Sequence, residues 1–210
     1  MSGNNVKILL DGIPLIDRGA TKQSLSQLDV NSIERVEIVE GPMSVVYGTD
    51  ALAGVINIIT KKGDGYSEEN TWRVGARVQE ESMGKEYDFF KDKGLHNESI
   101  DLGFNHKSGL FVNGGYTRNN HGGWQGDLTG REKRWHPKDQ ALMNGMFGFQ
   151  NRNMNVWYRL DFLDEKIFGP NNGSELQPEK VSDKDFLTKR YTHQLQSDWK
   201  LDNRLDVHAA

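Results

Sequence analysis

The sequence predicts two regions: an α+β unit over residues 1–65, followed by an all-β antiparallel meander over 66–210. Three observations predict this division. Short apolar runs near the amino terminus are separated by Gly and Pro, and side chains after about residue 70 alternate between apolar and polar with a period of two. The connections between the alternating segments are short and long in turn, as is typical of a transmembrane β-barrel.

The first region is expected to be a compact unit of short mixed strands. The predicted elements are, in order, a strand over 6–10, an Asp11-Gly12 turn with positive φ angles, a short helix near 25–30, a strand over 34–39, a helical turn over 43–47 and a strand over 55–60. The side chains expected to fill its small core are those of Val36, Ile38, Val55, Ile56, Ile58 and Ile59.

The second region contains about seven alternating segments, and their apolar residues fall on one face. These residues include Trp72, Val74, Ile100, Leu102, Phe104, Met143, Phe147, Tyr158, Leu160, Tyr191, Leu195, Trp199 and Val207. Short turns are predicted at 107–110, 150–153 and 200–204, and long links at 79–98, 119–140 and 163–187. Strands of about 9–11 residues would present the apolar face to lipid and the polar face to a lumen. A soluble antiparallel sheet with one face on a core alternates in the same way.

Composition excludes several classes of function. The 210 residues carry a formal net charge of −4, which gives no basic face for nucleic acid. Cysteine is absent, so neither a disulfide nor a thiolate metal site can form. No signal-peptide pattern is predicted near the amino terminus, and both ends of the chain are expected to be cut. No catalytic group can be placed by spacing, so neither an enzyme activity nor a cofactor is predicted.

The segment IERVEIVEGPMSVVYGTDALAGVINIITKK, residues 33–62, resembles the plug-domain signature of TonB-dependent outer-membrane receptors. The matching residues are Glu34, Arg35, Glu37, Gly41, Pro42, Tyr47, Gly48, Gly54 and Asn57. The resemblance implies that the C-terminal portion of a plug is followed by the first strands of a plugged, 22-stranded transmembrane β-barrel. Because 22 strands need roughly 220 residues before any loops, the chain is expected to be a fragment holding a partial barrel.

The resemblance also implies a function. Such a receptor binds and actively imports a scarce ligand, such as a siderophore–iron complex, haem or cobalamin, at the cell outer membrane. Its partners would be outer-membrane lipid, a small-molecule ligand such as an iron chelate, and TonB, which would engage a segment missing from this chain. The open sheet edges of a partial barrel are expected to cause self-association. The alternative is a soluble β-rich binding or adhesion module.

The motif residues have expected physical roles. The three motif glycines, Gly41, Gly48 and Gly54, are expected to supply backbone conformations or close approaches that a Cβ would obstruct. Asn57 is a polar residue in an apolar strand, and it should hydrogen-bond a neighbouring loop because an unpaired buried amide costs about 1–3 kcal/mol. The remaining motif charges either pair with the barrel wall or are solvated; they are Glu34, Arg35 and Glu37.

The long link 119–140 contains the candidate ligand contacts. They are His121, Trp124, Trp135 and His136. Imidazole and indole rings in an outer loop can contact a ligand by stacking, but they can equally be surface histidines and tryptophans that anchor the loop. The histidines of the chain have no metal-ligand spacing, so no metal site is predicted.

Overall fold

The computed structural model of the chain describes residues 6–15, 24–41, 51, 53–62, 69–128, 130–170, 183–202 and 205–209. The chain divides into two units, Met1–Lys62 and Gly63–Ala210. Within the described ranges, the first unit holds strands β1 to β4 and two short 3-10 helices, and the second holds strands β5 to β11. No helix in these ranges is long and apolar enough to cross a membrane.

The first unit is built on a four-stranded mixed sheet. Its strands are β1 (Val6–Leu10), β2 (Ile13–Pro14), β3 (Ile33–Glu40) and β4 (Gly54–Thr60), arranged in the order β2-β1-β4-β3. Strand β1 runs parallel to β4, and the other two pairings are antiparallel. The Asp11-Gly12 turn closes the β1–β2 hairpin with φ angles of 49° and 85°, as predicted.

The core of this sheet is smaller than the sequence predicts. Leu9, Ala51 and Val55 form its buried cluster. Val36 and Ile38 are 50% and 67% exposed, so the prediction that they fill the core is wrong. The buried cluster lies on β1, β4 and Ala51, whereas β3 is an edge strand that lies beyond it.

The predicted helix near 25–30 is instead a pair of 3-10 turns, Ser24–Gln27 and Val30–Ser32. Asp29 separates the two turns, since its Oδ1 accepts a hydrogen bond from the Asn31 backbone N–H at 3.0 Å and caps the second turn. The helical turn predicted over 43–47 lies outside the described residues.

The second unit is a seven-stranded antiparallel meander, which confirms the predicted class of fold. Each strand pairs with its neighbours in sequence, from β5 to β11. The strands are β5 (Thr71–Glu81), β6 (Leu95–Asn105), β7 (Leu110–His121), β8 (Lys138–Gln150), β9 (Met154–Gly169), β10 (Lys184–Asp202) and β11 (Leu205–Ala209).

Several strands are longer than the predicted 9–11 residues. Strand β9 has 16 residues and β10 has 19, so the long links shorten to 82–94, 122–137 and 170–183. The β9–β10 ladder continues to the pair Lys184 and Gly169. Both faces of this extension mix charged side chains with apolar ones such as Ile167 and Leu187, and the alternation that marks the rest of each strand is therefore lost there.

Candidate functional site

One face of the seven-stranded sheet, here called the outer face, carries three consecutive apolar rows that run across the strands. The first row is Trp72, Phe104, Val112, Phe147, Tyr158 and Leu195. The second is Val74, Leu102, Gly114, Gly145, Leu160 and His193, and the third is Ala76, Ile100, Tyr116, Met143, Phe162 and Tyr191. These rows together are called the apolar band. Trp72 and Val74 are 76% and 71% exposed, so the band faces outward.

Aromatic pairs are spread through the apolar band. The ring centroids lie 4.4 Å apart for Trp72 and Phe104, and 4.8 Å apart for Phe162 and Tyr191. The imidazole of His193 does not interrupt the band as an unpaired polar group, because its Nδ1 is hydrogen-bonded to the Tyr158 hydroxyl at 2.5 Å. Large amphipathic rings of this kind are favoured where a protein surface passes from hydrocarbon to water.

Charged rows bound the apolar band on the side of the long links. The next row contains Glu98, Arg118, Asp164 and Lys189, and the row beyond it contains Asp139 and Lys166. Ion pairs join neighbouring strands here, between Arg118 and Asp139 at 3.1 Å and between Lys189 and Asp164 at 3.5 Å. Exposed pairs of this kind contribute little to stability. They mark the level at which the outer face changes from apolar to charged.

The opposite face of the sheet, the inner face, is largely buried, and it combines polar side chains with an apolar cluster of Phe111, Met146 and Trp157. A ladder of carboxamides crosses four strands: Asn97 donates to Asn119, Asn119 to Gln140, and Gln140 to the Glu165 carboxylate. Gln140 and Glu165 are each 1% exposed. The four residues share one row of the sheet, and the sequence analysis missed them because this alignment depends on the register of three hairpins.

A second inner-face feature is the Arg159 guanidinium. It is 4% exposed and donates two hydrogen bonds of 2.7 Å to the carboxylate of Asp161 on the same strand. A buried charge requires such pairing because its desolvation is costly. The inner face therefore accommodates charge, whereas the outer face at the level of the apolar band does not.

The link 122–137 forms a small folded loop that brings three of the candidate ligand contacts together. Trp124 and Trp135 form an isolated antiparallel bridge, with N–O distances of 2.9 and 3.1 Å. Their ring centroids are 5.3 Å apart, and the His121 ring lies 6.1 Å from that of Trp135. Trp135 is 52% exposed. Its indole is therefore open to solvent on a loop that the Trp124–Trp135 bridge holds.

His121 and His136 differ from a metal-binding pair. The Nδ1 of His121 accepts a hydrogen bond from the Gly123 backbone N–H at 2.8 Å, which fixes the imidazole as part of the loop. The exposed His136 lies beside Gly169, at the start of the next long link. No group of three potential metal ligands occurs in the described part of the chain.

Hydrogen bonds connect two of the long links, 82–94 and 122–137, to each other. The Gly122 N–H donates to the Gly94 carbonyl at 2.9 Å, and the Gln125 N–H donates to Glu86 Oε1 at 3.2 Å. A Cβ at Gly122 would lie 1.7 Å from the Asp92 carbonyl oxygen, so only glycine allows this approach. These contacts make the links 82–94 and 122–137 one surface.

Ion pairs also stabilise this surface. Arg131 pairs with Asp183, which precedes β10, at 2.7 Å. Arg134 donates to Asp127 Oδ1 at 2.5 Å, and this hydrogen bond holds the pKa of the Asp127 carboxyl below its usual value. The Asp127–Arg134 contribution is therefore present at neutral pH and is lost as the pH falls through the lowered pKa of Asp127.

The motif charges of the first unit pair along a single strand. Arg35 on β3 forms ion pairs of 2.7 Å with Glu34 and 3.0 Å with Glu37. The hydrogen bond to Glu37, assisted by the one to Glu34, raises the pKa of the Arg35 guanidinium above its usual value. All three side chains are about half exposed.

Asn57 joins three parts of the first unit. Its Oδ1 accepts from the Gly12 backbone N–H at 3.0 Å, and its Nδ2 donates to Glu37 Oε2 at 3.3 Å. The side chain thus connects the β1–β2 turn to β3, as expected for a polar residue in an apolar strand. At Gly54, φ is +149° and a Cβ would lie 2.5 Å from the Val39 carbonyl oxygen, whereas Gly41 has a φ of +108°.

Three motif residues lie outside the described residues, namely Pro42, Tyr47 and Gly48. The sequence analysis missed the buried contact that Asp11 makes. Asp11 is 8% exposed, and its carboxylate accepts from the Thr60 backbone N–H at 3.1 Å and from the Thr60 hydroxyl at 2.6 Å. It fixes the end of β4 against the turn. The Asp-Gly dipeptide predicted the turn but not this long-range contact.

Comparisons with known proteins concern both units. Residues 1–55 match the family described as TonB-dependent Receptor Plug Domain. The vitamin B12 transporter BtuB of Vibrio vulnificus (strain CMCP6) is 41% identical over 75 residues, which are 36% of this chain and 12% of that protein.

Solved structures resemble almost the whole chain. The copper transporter OprC superposes with a TM-score of 0.70 at 14% identity, over 98% of this chain and 29% of its own. The siderophore receptor PirA from Acinetobacter baumannii gives a TM-score of 0.61 at 19% identity, over 93% of this chain and 30% of its own. At these identities the likeness shows the fold alone. The chain spans under a third of the length of these proteins.

Proposed function

We propose, since residues 1–55 belong to the plug-domain family of TonB-dependent receptors, that this chain is part of an outer-membrane receptor that binds and actively imports a scarce ligand. Residues 1–65 are the C-terminal portion of its plug, and residues 66–210 form the first strands of its β-barrel. The relatives are named for vitamin B12, copper and siderophores. Siderophore–iron complexes, haem, cobalamin and copper are therefore the candidate ligands.

The apolar band carries this proposal. Three consecutive rows on the outer face hold apolar and aromatic side chains, most of them exposed, while the inner face buries carboxamides, Arg159 and Glu165 beside a small apolar cluster. A soluble sheet requires the reverse, because its buried face is the apolar one. Lipid on the outer face and a polar lumen on the inner face account for both observations.

The long links are the proposed site of ligand capture. The links 82–94 and 122–137 are hydrogen-bonded to each other and form one surface with the half-exposed Trp135 indole on it. An exposed aromatic ring on a rigid base contributes contact area at a low cost in conformational entropy. We place ligand contact at Trp135, with His121 and Trp124 supporting that indole and His136 beside it.

The plug motif has a proposed role in release of the ligand. TonB would rearrange the plug. Such a rearrangement requires that the contacts of the small core and the polar contacts between strands can be broken. The Nδ2 of Asn57 on β4 donates a hydrogen bond to Glu37 on β3, whereas the ion pairs of Arg35 stay within β3. Pairing of Glu34, Arg35 and Glu37 with the barrel wall belongs to this proposal.

A soluble β-rich binding or adhesion module is the alternative. It would leave the exposed rings of the apolar band in water, which favours association. Among the described strands, β5 and β11 each pair on one side only, and such edges recruit further strands. We propose that the seven-stranded sheet by itself associates through these edges, and that detergent or lipid is needed to keep it dispersed.

Quenching of tryptophan fluorescence tests the proposal in lipid vesicles that carry brominated acyl chains. Trp72 lies in the apolar band and Trp135 in the long-link surface, so the two indoles should respond to different quenchers. Trp72→Phe should remove much of the quenching by brominated lipid, and Trp135→Phe should leave that quenching unchanged. Equal lipid quenching of the two variants would contradict the membrane assignment.

The same vesicles test ligand binding. Ferric siderophores, haem and cobalamin absorb light and quench nearby indoles, and copper is added as the free ion. The correct ligand should quench Trp135, so Trp135→Phe should reduce the response while Trp72→Phe preserves it. A response lost with Trp72→Phe but kept with Trp135→Phe would contradict ligand capture at the long links.

A further inference from the structure

The link 82–94 folds back over the outer face of the sheet. Glu80 on β5 and His96 on β6 are directly paired, and both lie on the outer face because they alternate in step with the residues of the apolar band. His96 is nevertheless only 5% exposed, whereas Ile100 on the same face of β6 is 48% exposed. The link covers this histidine, since the Tyr87 ring centroid lies 6.3 Å from that of His96.

One carboxylate oxygen holds the link in this position. Glu80 Oε2 accepts hydrogen bonds from the Tyr87 hydroxyl at 3.2 Å and from the Phe90 backbone N–H at 3.4 Å. The same oxygen is hydrogen-bonded to Nδ1 of the buried His96 at 2.6 Å. The backbone at Phe90 has a φ of 52°, which is uncommon for a bulky side chain. These contacts fix residues 87–90 on the outer-face side of β5.

Two exposed phenylalanine rings belong to the segment that Glu80 holds. Phe89 and Phe90, here called the Phe pair, pack edge to face with ring centroids 4.5 Å apart. They are 66% and 48% exposed. Adjacent exposed apolar rings of this kind indicate contact with a membrane or a partner.

The Phe pair lies beside the end of an exposed apolar strip on β5. Trp72, Val74 and Val78 on the outer face of this strand are 76%, 71% and 63% exposed. Glu80 is the next residue of that face, about 6.6 Å further along the strand. In the proposed orientation, the end of this strip is the level at which hydrocarbon changes to lipid headgroups on the side of the long links.

We infer that the Phe pair anchors the link 82–94 in the outer lipid leaflet, and that Glu80 holds the link against the barrel wall. The inference rests on the proposed membrane orientation of the sheet. Phenylalanine rings that anchor a segment to a membrane surface lie at the boundary between headgroups and acyl chains. The flanking Asp88 and Lys91 are exposed, so their charges stay among the headgroups.

The anchor would also support the proposed surface of ligand capture. The Gln125 backbone N–H donates to Glu86 Oε1, and the Gly122 N–H donates to the Gly94 carbonyl. The loop that carries Trp135 is therefore hydrogen-bonded to the anchored link. Lipid contact at the Phe pair would restrict the motion of both links.

Spin labelling tests the inference, because the chain has no cysteine and one introduced cysteine is labelled uniquely. A nitroxide is attached at Phe89→Cys in vesicles of phosphatidylethanolamine and phosphatidylglycerol. Val74→Cys is the reference for lipid. Glu81→Cys is the reference for water, since Glu81 is exposed and lies on the opposite face of β5 from Glu80.

The measurement compares collisions of each nitroxide with oxygen, which concentrates in lipid, and with a water-soluble nickel chelate. The ratio of oxygen to nickel collisions at Phe89 should be closer to the ratio at Val74 than to the ratio at Glu81. Phe90→Cys should give the same result, which provides a second labelled position in the Phe pair. Ratios at both positions equal to that at Glu81 would overturn the inference.

Removal of the Glu80 carboxylate tests how the link is held. Glu80→Ala should make the Phe89 label more mobile and lower its ratio of oxygen to nickel collisions, because the hydrogen bonds to residues 87 and 90 are lost. Asn120→Ala, in the same row of the outer face, is the matched control and should change neither property. An unchanged Phe89 label in Glu80→Ala would overturn the role given to this carboxylate.

The outcomes separate this inference from the proposed function. If the Val74 label is in lipid while the Phe89 and Phe90 labels are in water, the membrane assignment stands and the anchor is wrong. If the Val74 label is as accessible to the nickel chelate as the Glu81 label, the proposed orientation is contradicted and the anchor is contradicted with it.

Discussion

The two units of the chain bury opposite kinds of side chain. In the first unit the buried cluster is Leu9, Ala51 and Val55, as in any small water-soluble sheet. In the second unit, buried polar side chains outnumber buried apolar ones among the described residues, and most exposed large apolar residues lie on one face. The same period of two places apolar residues toward a core in the first unit and toward the outer face in the second, and contact of that face with lipid, as proposed, would explain the difference.

The largest effect is expected in the core of the first unit. Leu9 is 1% exposed on β1, and Leu9→Ala should lower the free energy of unfolding of this unit by about 2–5 kcal/mol, since it leaves a cavity. Thermal or denaturant unfolding followed by hydrogen exchange of β1 and β4 measures the loss. Val30→Ala, at a residue 71% exposed, is the control, with a change within about 0.5 kcal/mol. Similar losses for both would contradict a core at Leu9.

A slightly smaller effect is expected on the outer face of the second unit. Leu102 lies in the middle row of the apolar band, and Leu102→Arg should destabilise the membrane-inserted sheet by about 2–4 kcal/mol because the charge enters hydrocarbon. Glu98→Arg is matched in strand and face but lies in the charged row, where the cost should be about 0–1 kcal/mol. Denaturant unfolding in lipid vesicles measures both. If the two variants cost the same, the band does not contact hydrocarbon.

The smallest effect is expected on the inner face of the second unit. There, unlike in the core of the first unit, a more apolar buried side chain should lower stability. Gln140→Leu makes a buried position more apolar, yet it should destabilise the sheet by about 1–3 kcal/mol, because Asn119 loses its acceptor and Glu165 loses one donor. Asn120→Leu, on the outer face of β7, should change stability by at most about 0.5 kcal/mol. A gain in stability with Gln140→Leu would show that the inner face behaves as an ordinary core.

The features that the sequence predicted correctly are those that depend on the short-range pattern of side chains. Alternation assigned Trp72, Leu102 and Tyr158 to one face because side chains on a strand alternate whatever the strand pairs with. It failed beyond Asp164 and before Lys189, where charged and apolar side chains are mixed on both faces, and the strands there continue through backbone pairing. The burial of Val36 could not be predicted, since it depends on the position of β3 at the edge of its sheet.

The same distinction applies to the candidate site. His121, Trp124 and Trp135 are close together because a bridge between the two tryptophans folds their loop, and their clustering in sequence already suggested this. The carboxamide ladder from Asn97 to Glu165 joins residues far apart in the chain. Its alignment needs the exact register of each hairpin, which turn length and side-chain packing decide together.

The unequal lengths of the strands have a consequence for the short-turn end of the sheet. Strand β5 has 11 residues and β10 has 19, so at about 3.3 Å per residue they extend roughly 36 and 63 Å. Glu81 at the end of β5 shares a row with Phe186, so β10 continues only from Phe186 to Lys184 beyond it, whereas past the row of Thr71 and Gln196 it continues to Asp202. The extra backbone of β10 therefore gives β11 its pairing partner there, and shortening β10 at this end would leave β11 without a strand to join.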